Sequence, residues 1–246
     1  KPIRSEKEIS ELSHLHLEET LNPVYESVAQ VRAKLSPGVS LIGFAGAPWT
    51  IATYMVEGGS SKTFNNVKAW ATDDSRGFDE LIKLLIEAIT IHVMNQVGAG
   101  AEVIQLFDSW AGVLSPSEFD KWCIKPVREI TERIKNKYPD VPIIGFPKGS
   151  GVNYQHYAEK TGVDCVSIDY TVPLDWIDEA LQPGTVVQGN LDPHILRQGG
   201  ARLVKEVQDI KRALDQRPFV FNLGHGILPD TDPSNVEDLV ELVRAG

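Results

Sequence analysis

The sequence predicts a β/α protein built on a parallel sheet, and two observations carry that prediction. Six short segments share β-rich apolar residues that end in small or polar ones, and helical patterns fill the gaps between them. The six are continuous apolar runs with little clean alternation, as expected of strands covered on both faces. Strands alternating with helices at this spacing imply right-handed crossovers. There is no internal repeat and no low-complexity linker, so residues 1–246 are expected to form one domain.

The first 39 residues are helical in pattern and carry no strand signal. The expected strands then follow at 40–46 (SLIGFAG), 102–108 (EVIQLFD), 142–148 (PIIGFPK), 164–170 (DCVSIDY), 185–190 (TVVQGN) and 218–224 (PFVFNLG). Between them, 75–97 carries Phe78, Leu81, Leu85, Ala88 and Val97 on a helical period and stops at Gly98. Ser115-Pro116-Ser117-Glu118 is a capping box with proline at the first helical position, opening a helix toward Tyr138. Pro126 inside that helix is expected to kink or divide it. Further helices are expected at 152–161, 176–181, 195–214 and 234–244. A complete β/α barrel takes eight units in roughly 250 residues. Six strands therefore fit either an open doubly wound sheet or a barrel without its first two units.

In both architectures ligands bind at the carboxyl ends of the strands. Those ends are rich in poor strand formers: Gly46-Ala47-Pro48-Trp49, Asp108-Ser109-Trp110, Lys148-Gly149-Ser150-Gly151, Gly189-Asn190 and Gly224-His225-Gly226. His225, between two glycines, can donate to a ligand or be satisfied by a neighbouring carbonyl. Ser109 can donate to a ligand oxygen or simply serve the strand-to-helix turn. Asp108 and Asp192 read as acids or helix caps, the cap being favoured for Asp192 because Pro193 follows it. Lys148 can bind an anion or be solvated. The run Glu57-Gly58-Gly59-Ser60-Ser61-Lys62 can offer backbone N–H groups to an anion. No phosphate loop, GxGxxG, HExxH or nucleophile elbow is present.

Composition narrows the partners. Hydrophobic residues make up 42% and charged residues 24%, as in an average soluble domain. The net charge of −10 argues against nucleic acid and against an anionic membrane, both of which need a basic face. No apolar run is expected to span a bilayer, and the opening residues do not read as a signal peptide. The two cysteines, Cys123 and Cys165, have no metal-ligand spacing around them and read as buried thiols of a cytoplasmic protein.

The strings GFAGAPWTIATYMVEGGSSK, QLFDSWAG, QGNLDP and NLGHGILPDTDP, in order and at strand ends, resemble the uroporphyrinogen decarboxylase family. The resemblance runs through the whole chain. It implies a (β/α)8 barrel whose first two units are absent from this sequence, a homodimer, and no metal or organic cofactor. The implied reaction converts the four acetate side chains of a small-molecule tetrapyrrole, uroporphyrinogen III, to methyls in heme biosynthesis. Carried over residue by residue, it makes Tyr54 catalytic and substrate-contacting, and makes Ser109 and His225 substrate-binding. It also implies that the Gly/Ala run lets strand and helix close tightly beside a flat tetrapyrrole. The family's paired arginines and central aspartate fall in the part not matched here, and Asp108 and Asp192 do not match that aspartate's motif.

Two other readings compete. A corrinoid-linked methyltransferase of the same superfamily carries zinc-binding His and Cys near the strand that here ends GFPKGSG, where this chain has neither. A non-catalytic truncated barrel that binds tetrapyrroles is the other.

Overall fold

In the computed structural model, which describes residues 1–12 and 16–245, six parallel strands form one sheet in strict chain order. They are β1 (Ile42–Gly46), β2 (Val103–Asp108), β3 (Ile143–Pro147), β4 (Cys165–Ser167), β5 (Val186–Leu191) and β6 (Phe219–Leu223). All six expected strands form, each trimmed by a residue or more at its ends. The strand order decides between the two architectures. A doubly wound sheet reverses direction at a switch point, whereas a barrel adds each strand beside the last. Here every strand pairs with its successor, from Ile42 opposite Val103 to Leu191 opposite Leu223. The sheet is an arc of a β/α barrel.

Register places side chains in two layers. Phe44, Gln105 and Ile144 are consecutive partners on the concave face, as are Ser167, Gln188 and Val220 further round. The alternate residues, Ile104, Leu106, Ile143 and Val166 among them, are buried against helices. That outer layer is the core.

The leading helical pattern becomes α1 (Glu6–Ile9) and α2 (Leu17–Lys34), while residues 13–15 of that stretch lie outside the described residues. After β1 come α3 (Pro48–Glu57), α4 (Asn65–Asp73) and α5 (Ser75–Gly98). By length and composition α5 could cross a membrane, which corrects the expectation that no apolar run would. It is a core helix: Phe78, Leu81, Leu85, Ile89 and Val93 are buried on one face. The unexpected α4 starts where the Glu57 carboxylate accepts from the Asn66 and Val67 N–H groups, at 3.0 Å each. Ser61 Oγ accepts from Phe64 N at 3.0 Å. The loop expected to offer N–H groups to an anion is thus a helix-to-helix connection with its own internal caps.

The capping box at Ser115 forms as expected and opens α6 (Pro116–Glu118). A π-helical turn over Phe119–Ile124 then precedes α7 (Lys125–Lys137). Pro126 lacks the N–H an α-helix would use there, so the division expected of it falls just before it. The chain continues through α8 (Asn153–Thr161), α9 (Leu174–Trp176) with a π turn at Ile177–Leu181, α10 (Pro193–Gln198), α11 (Gly200–Leu214) and α12 (Pro233–Arg244). One helix was expected over 195–214. Gly199 and Gly200 both adopt positive φ, 66° and 64°, and split it in two.

Candidate functional site

The Pro-Trp-Thr at the start of α3 locks that helix to the end of β2. Trp49 is fully buried, its indole N–H donates to the Trp110 carbonyl at 3.0 Å, and its ring meets Phe78 edge-on at 6.0 Å. The Thr50 hydroxyl donates to Asp108 Oδ1 at 2.6 Å and accepts from Trp110 N at 3.3 Å. A Cβ on Gly46 would stand 2.5 Å from Ile51 Cδ1, so only glycine lets α3 fold back this closely on β1. The small residues serve the close approach of strand and helix that the resemblance implied. Tyr54, one turn beyond Thr50, reaches the rim, 40% exposed and edge-on to Trp110 at 6.1 Å.

Asp108 is completely buried, and among the described residues no donor reaches its Oδ2. Burial pushes its pKa up to about 6, against the pull of the Thr50 hydrogen bond. The Cys123 thiol behind it is pushed up by burial and then by Asp108, and the Tyr157 hydroxyl by burial, then Cys123 and Asp108. Asp108 is a clamp on α3 rather than a group open to ligand. Asp192 takes the cap role favoured for it, accepting from His194 N at 2.8 Å at the start of α10.

The Asp108 environment predicts a pH effect. Its folded pKa lies above the unfolded value, so the folded state holds the proton more tightly. The stability this contributes is complete below the unfolded value and is lost as pH rises through the folded one. Asp108→Asn keeps an acceptor for Thr50 but cannot ionise. Denaturant unfolding over a pH series should show the wild type losing about 2–3 kcal/mol relative to Asp108→Asn between about pH 4 and pH 7. Parallel stability curves would mean that Asp108 carries no such strain.

At the carboxyl ends of the strands the concave face opens into a cavity of about 450 Å³. Its wall includes Phe107 and Ser109 after β2, Phe146 of β3, Asn222 of β6, and His225 with Ile227 just beyond. The structure therefore brings Ser109 and His225, from opposite ends of the arc, onto one cavity. Tyr54 stands outside that lining, on the Trp110 side of the rim. Trp110's own indole N–H is buried without an acceptor among the described residues.

Sequence reasoning missed the floor of this cavity. Gln188 Nε2 donates to Ser167 Oγ at 3.1 Å and to Gln105 Oε1 at 3.3 Å, all three side chains being buried. The signal was present: Gln105 and Gln188 are single polar residues within otherwise apolar strands, at inward positions. Gln188 Oε1 has no donor among the described residues and leaves an acceptor at the barrel centre.

Asp169, also missed, organises the far wall. Its Oδ2 accepts from Gly149 N and from the Tyr154 hydroxyl, both at 2.8 Å, and its Oδ1 from Thr171 N at 2.9 Å and the Thr171 hydroxyl. Burial would raise its pKa, but the bonds from Thr171, Tyr154 and Gly149 outweigh burial and hold it below the usual carboxylate range. Lys148 Nζ lies 3.2 Å from His225 Nε2. Burial, then Lys148, depresses the His225 pKa, with Asp169 opposing. Among the described residues no group of three His, Cys, Asp or Glu side chains is placed to hold a metal.

The family described as uroporphyrinogen decarboxylase (URO-D) matches residues 1–246. A uroporphyrinogen decarboxylase of Rhodospirillum rubrum is 47% identical over 244 residues, covering 99% of this chain and 70% of that protein. One of Chelativorans is 44% identical over 245 residues and is covered to 71%. A solved methyltransferase from Methanosarcina mazei superposes with a TM-score of 0.75 at 20% identity, over 92% of this chain and 64% of that one. A B12-independent methionine synthase from Shewanella does so at 0.64 and 10%, over 90% and 64%. At such identities the two structures speak for the barrel fold alone. The chain spans about seven tenths of the first two relatives and less than two thirds of the two solved structures.

Proposed function

The chain belongs to the uroporphyrinogen decarboxylase family, and from that premise we propose that it removes CO2 from the four acetate side chains of uroporphyrinogen III at the strand-end cavity, leaving coproporphyrinogen III. The observation that carries the reading is the family match across every residue of the chain, with Ser109 and His225 opening onto one cavity.

A pyrrole-acetate loses CO2 slowly because the electrons left behind need a sink. Protonating the ring carbon creates that sink, and a proton must then be delivered to the new methylene. General acid assistance of this kind contributes about 10²–10⁴-fold. The larger share comes from holding the leaving carboxylate and the developing cation in a fixed polar environment. Ser109 and His225 supply donors to substrate carboxylates. The buried Gln188 acceptor supplies a polar floor that a pyrrole N–H can reach. Tyr54 offers its hydroxyl at the rim, held by Trp110. The free, buried thiols of Cys123 and Cys165 suit a reducing cytoplasm, and the active form is a homodimer.

Tyr54→Phe tests the roles assigned at the rim. Its hydroxyl should matter more than its ring, so uroporphyrinogen turnover falls while the thermal midpoint stays put. Normal turnover per folded molecule with a lowered midpoint would make Tyr54 a packing residue.

A further inference from the structure

Lys148 is placed unlike any other lysine of the chain. Its ammonium makes no salt bridge among the described residues, and its one side-chain hydrogen bond runs to His225 Nε2 at 3.2 Å. An ammonium only donates, so Nε2 must accept and the imidazole proton sits on Nδ1. One N–H of Lys148 is used in this way, which leaves two for a ligand. Setting a lysine against a histidine stabilises neither group, since each disfavours the charged form of the other.

Both residues are held by their backbones. Lys148 N donates to the Asp108 carbonyl at 3.1 Å, and its own carbonyl accepts from Gly112 N at 3.0 Å. Gly149 N is fixed on Asp169. A Cβ on Gly112 would stand 2.5 Å from the Gly149 carbonyl oxygen, so the loops after β2 and β3 are in direct backbone contact. On the other side, a Cβ on Gly224 would stand 2.3 Å from Tyr170 N, seating the His225 turn on the segment that carries Asp169. Asp169 itself cannot neutralise Lys148, because four donors already occupy its two oxygens. The result is a rigid pair of donors without a counter-ion, in a chain of net charge −10.

We propose that Lys148 and His225 form a carboxylate subsite of the strand-end cavity, taking one carboxylate of the tetrapyrrole, with Asp169 as the positioning residue beneath both. The subsite rests on the decarboxylase reading for the identity of its ligand. Two Lys148 N–H groups and the His225 Nδ1–H are the available donors, and the salt-free ammonium supplies the charge. No covalent step is involved.

The test uses uroporphyrin III, a stable octacarboxylate, titrated by fluorescence into the whole protein. Lys148→Met should weaken binding about tenfold or more and flatten its dependence on ionic strength, because a charge-charge contact has gone. Lys148→Arg should stay within about threefold of wild type. In Lys148→Met the His225 titration, followed by NMR, should move up, which a purely structural lysine would not cause. Binding by Lys148→Met within about twofold of wild type, equal losses in Met and Arg variants, or no octacarboxylate binding by the wild type would each overturn the subsite. A wild-type protein that binds uroporphyrin but releases no CO2 from uroporphyrinogen would overturn the decarboxylase reading and leave the subsite standing.

Discussion

His225→Ala should lower kcat/KM for uroporphyrinogen about tenfold to a hundredfold, with the thermal midpoint unchanged. A hydrogen bond to a charged group is worth about 1.5–3 kcal/mol, and that loss in transition-state binding converts to this range. The structure explains why the fold should tolerate the change. His225 is exposed, its flanking Gly224 and not its ring makes the tight backbone contact with Tyr170, and its one side-chain partner is Lys148. Removing the imidazole also relieves a cation of its neighbour, so stability should not suffer. Wild-type kinetics in a normally folded variant would reduce His225 to a bystander at the cavity mouth.

Much of the fold was legible because buried parallel strands announce themselves as unbroken apolar runs. The strand order was not legible, since a count of six suits both an arc and an open sheet, and only pairing tells them apart. The break at Gly199-Gly200 was hidden by a helical period that continues through it. The helix α4 was hidden because its first turn is capped from outside by Glu57, nine residues before Asn66. At the site, His225 and Ser109 stood out as polar residues at strand ends. Asp169 did not, because its importance lies in four hydrogen bonds assembled from three loops. Asp108 could be read as an acid or a cap, and the pattern held no sign that it would be buried whole against Thr50.

The 246-residue chain by itself should self-associate and fail to turn over uroporphyrinogen. In its sheet β1 and β6 are both edges, each presenting unpaired backbone N–H and C=O groups. The concave face beside them is bare: Phe44 is 62% exposed, Ile42 43% and Val220 42%. Beneath them an apolar trough of about 570 Å³ runs along Ile42, Ile144, Cys165 and Val186 at the amino ends of the strands. A closed barrel has no edges and fills this face with side chains. The cavity holding Ser109 and His225 is a part of the same face, so its outer wall forms only on closure. Until then water reaches the donors and weakens each contact they would make. Joining the chain to the part of the Rhodospirillum rubrum relative that lies outside the match should pair both edges, cover Phe44 and restore a monodisperse enzyme. The deciding measurement is coproporphyrinogen formed from uroporphyrinogen by residues 1–246 alone and by the joined form, each checked for mass in solution. Turnover in the joined form only, lowered by His225→Ala, is the expected result. Full turnover by a monodisperse 246-residue chain would contradict it, because the strand-end site would then work without a closed barrel around it.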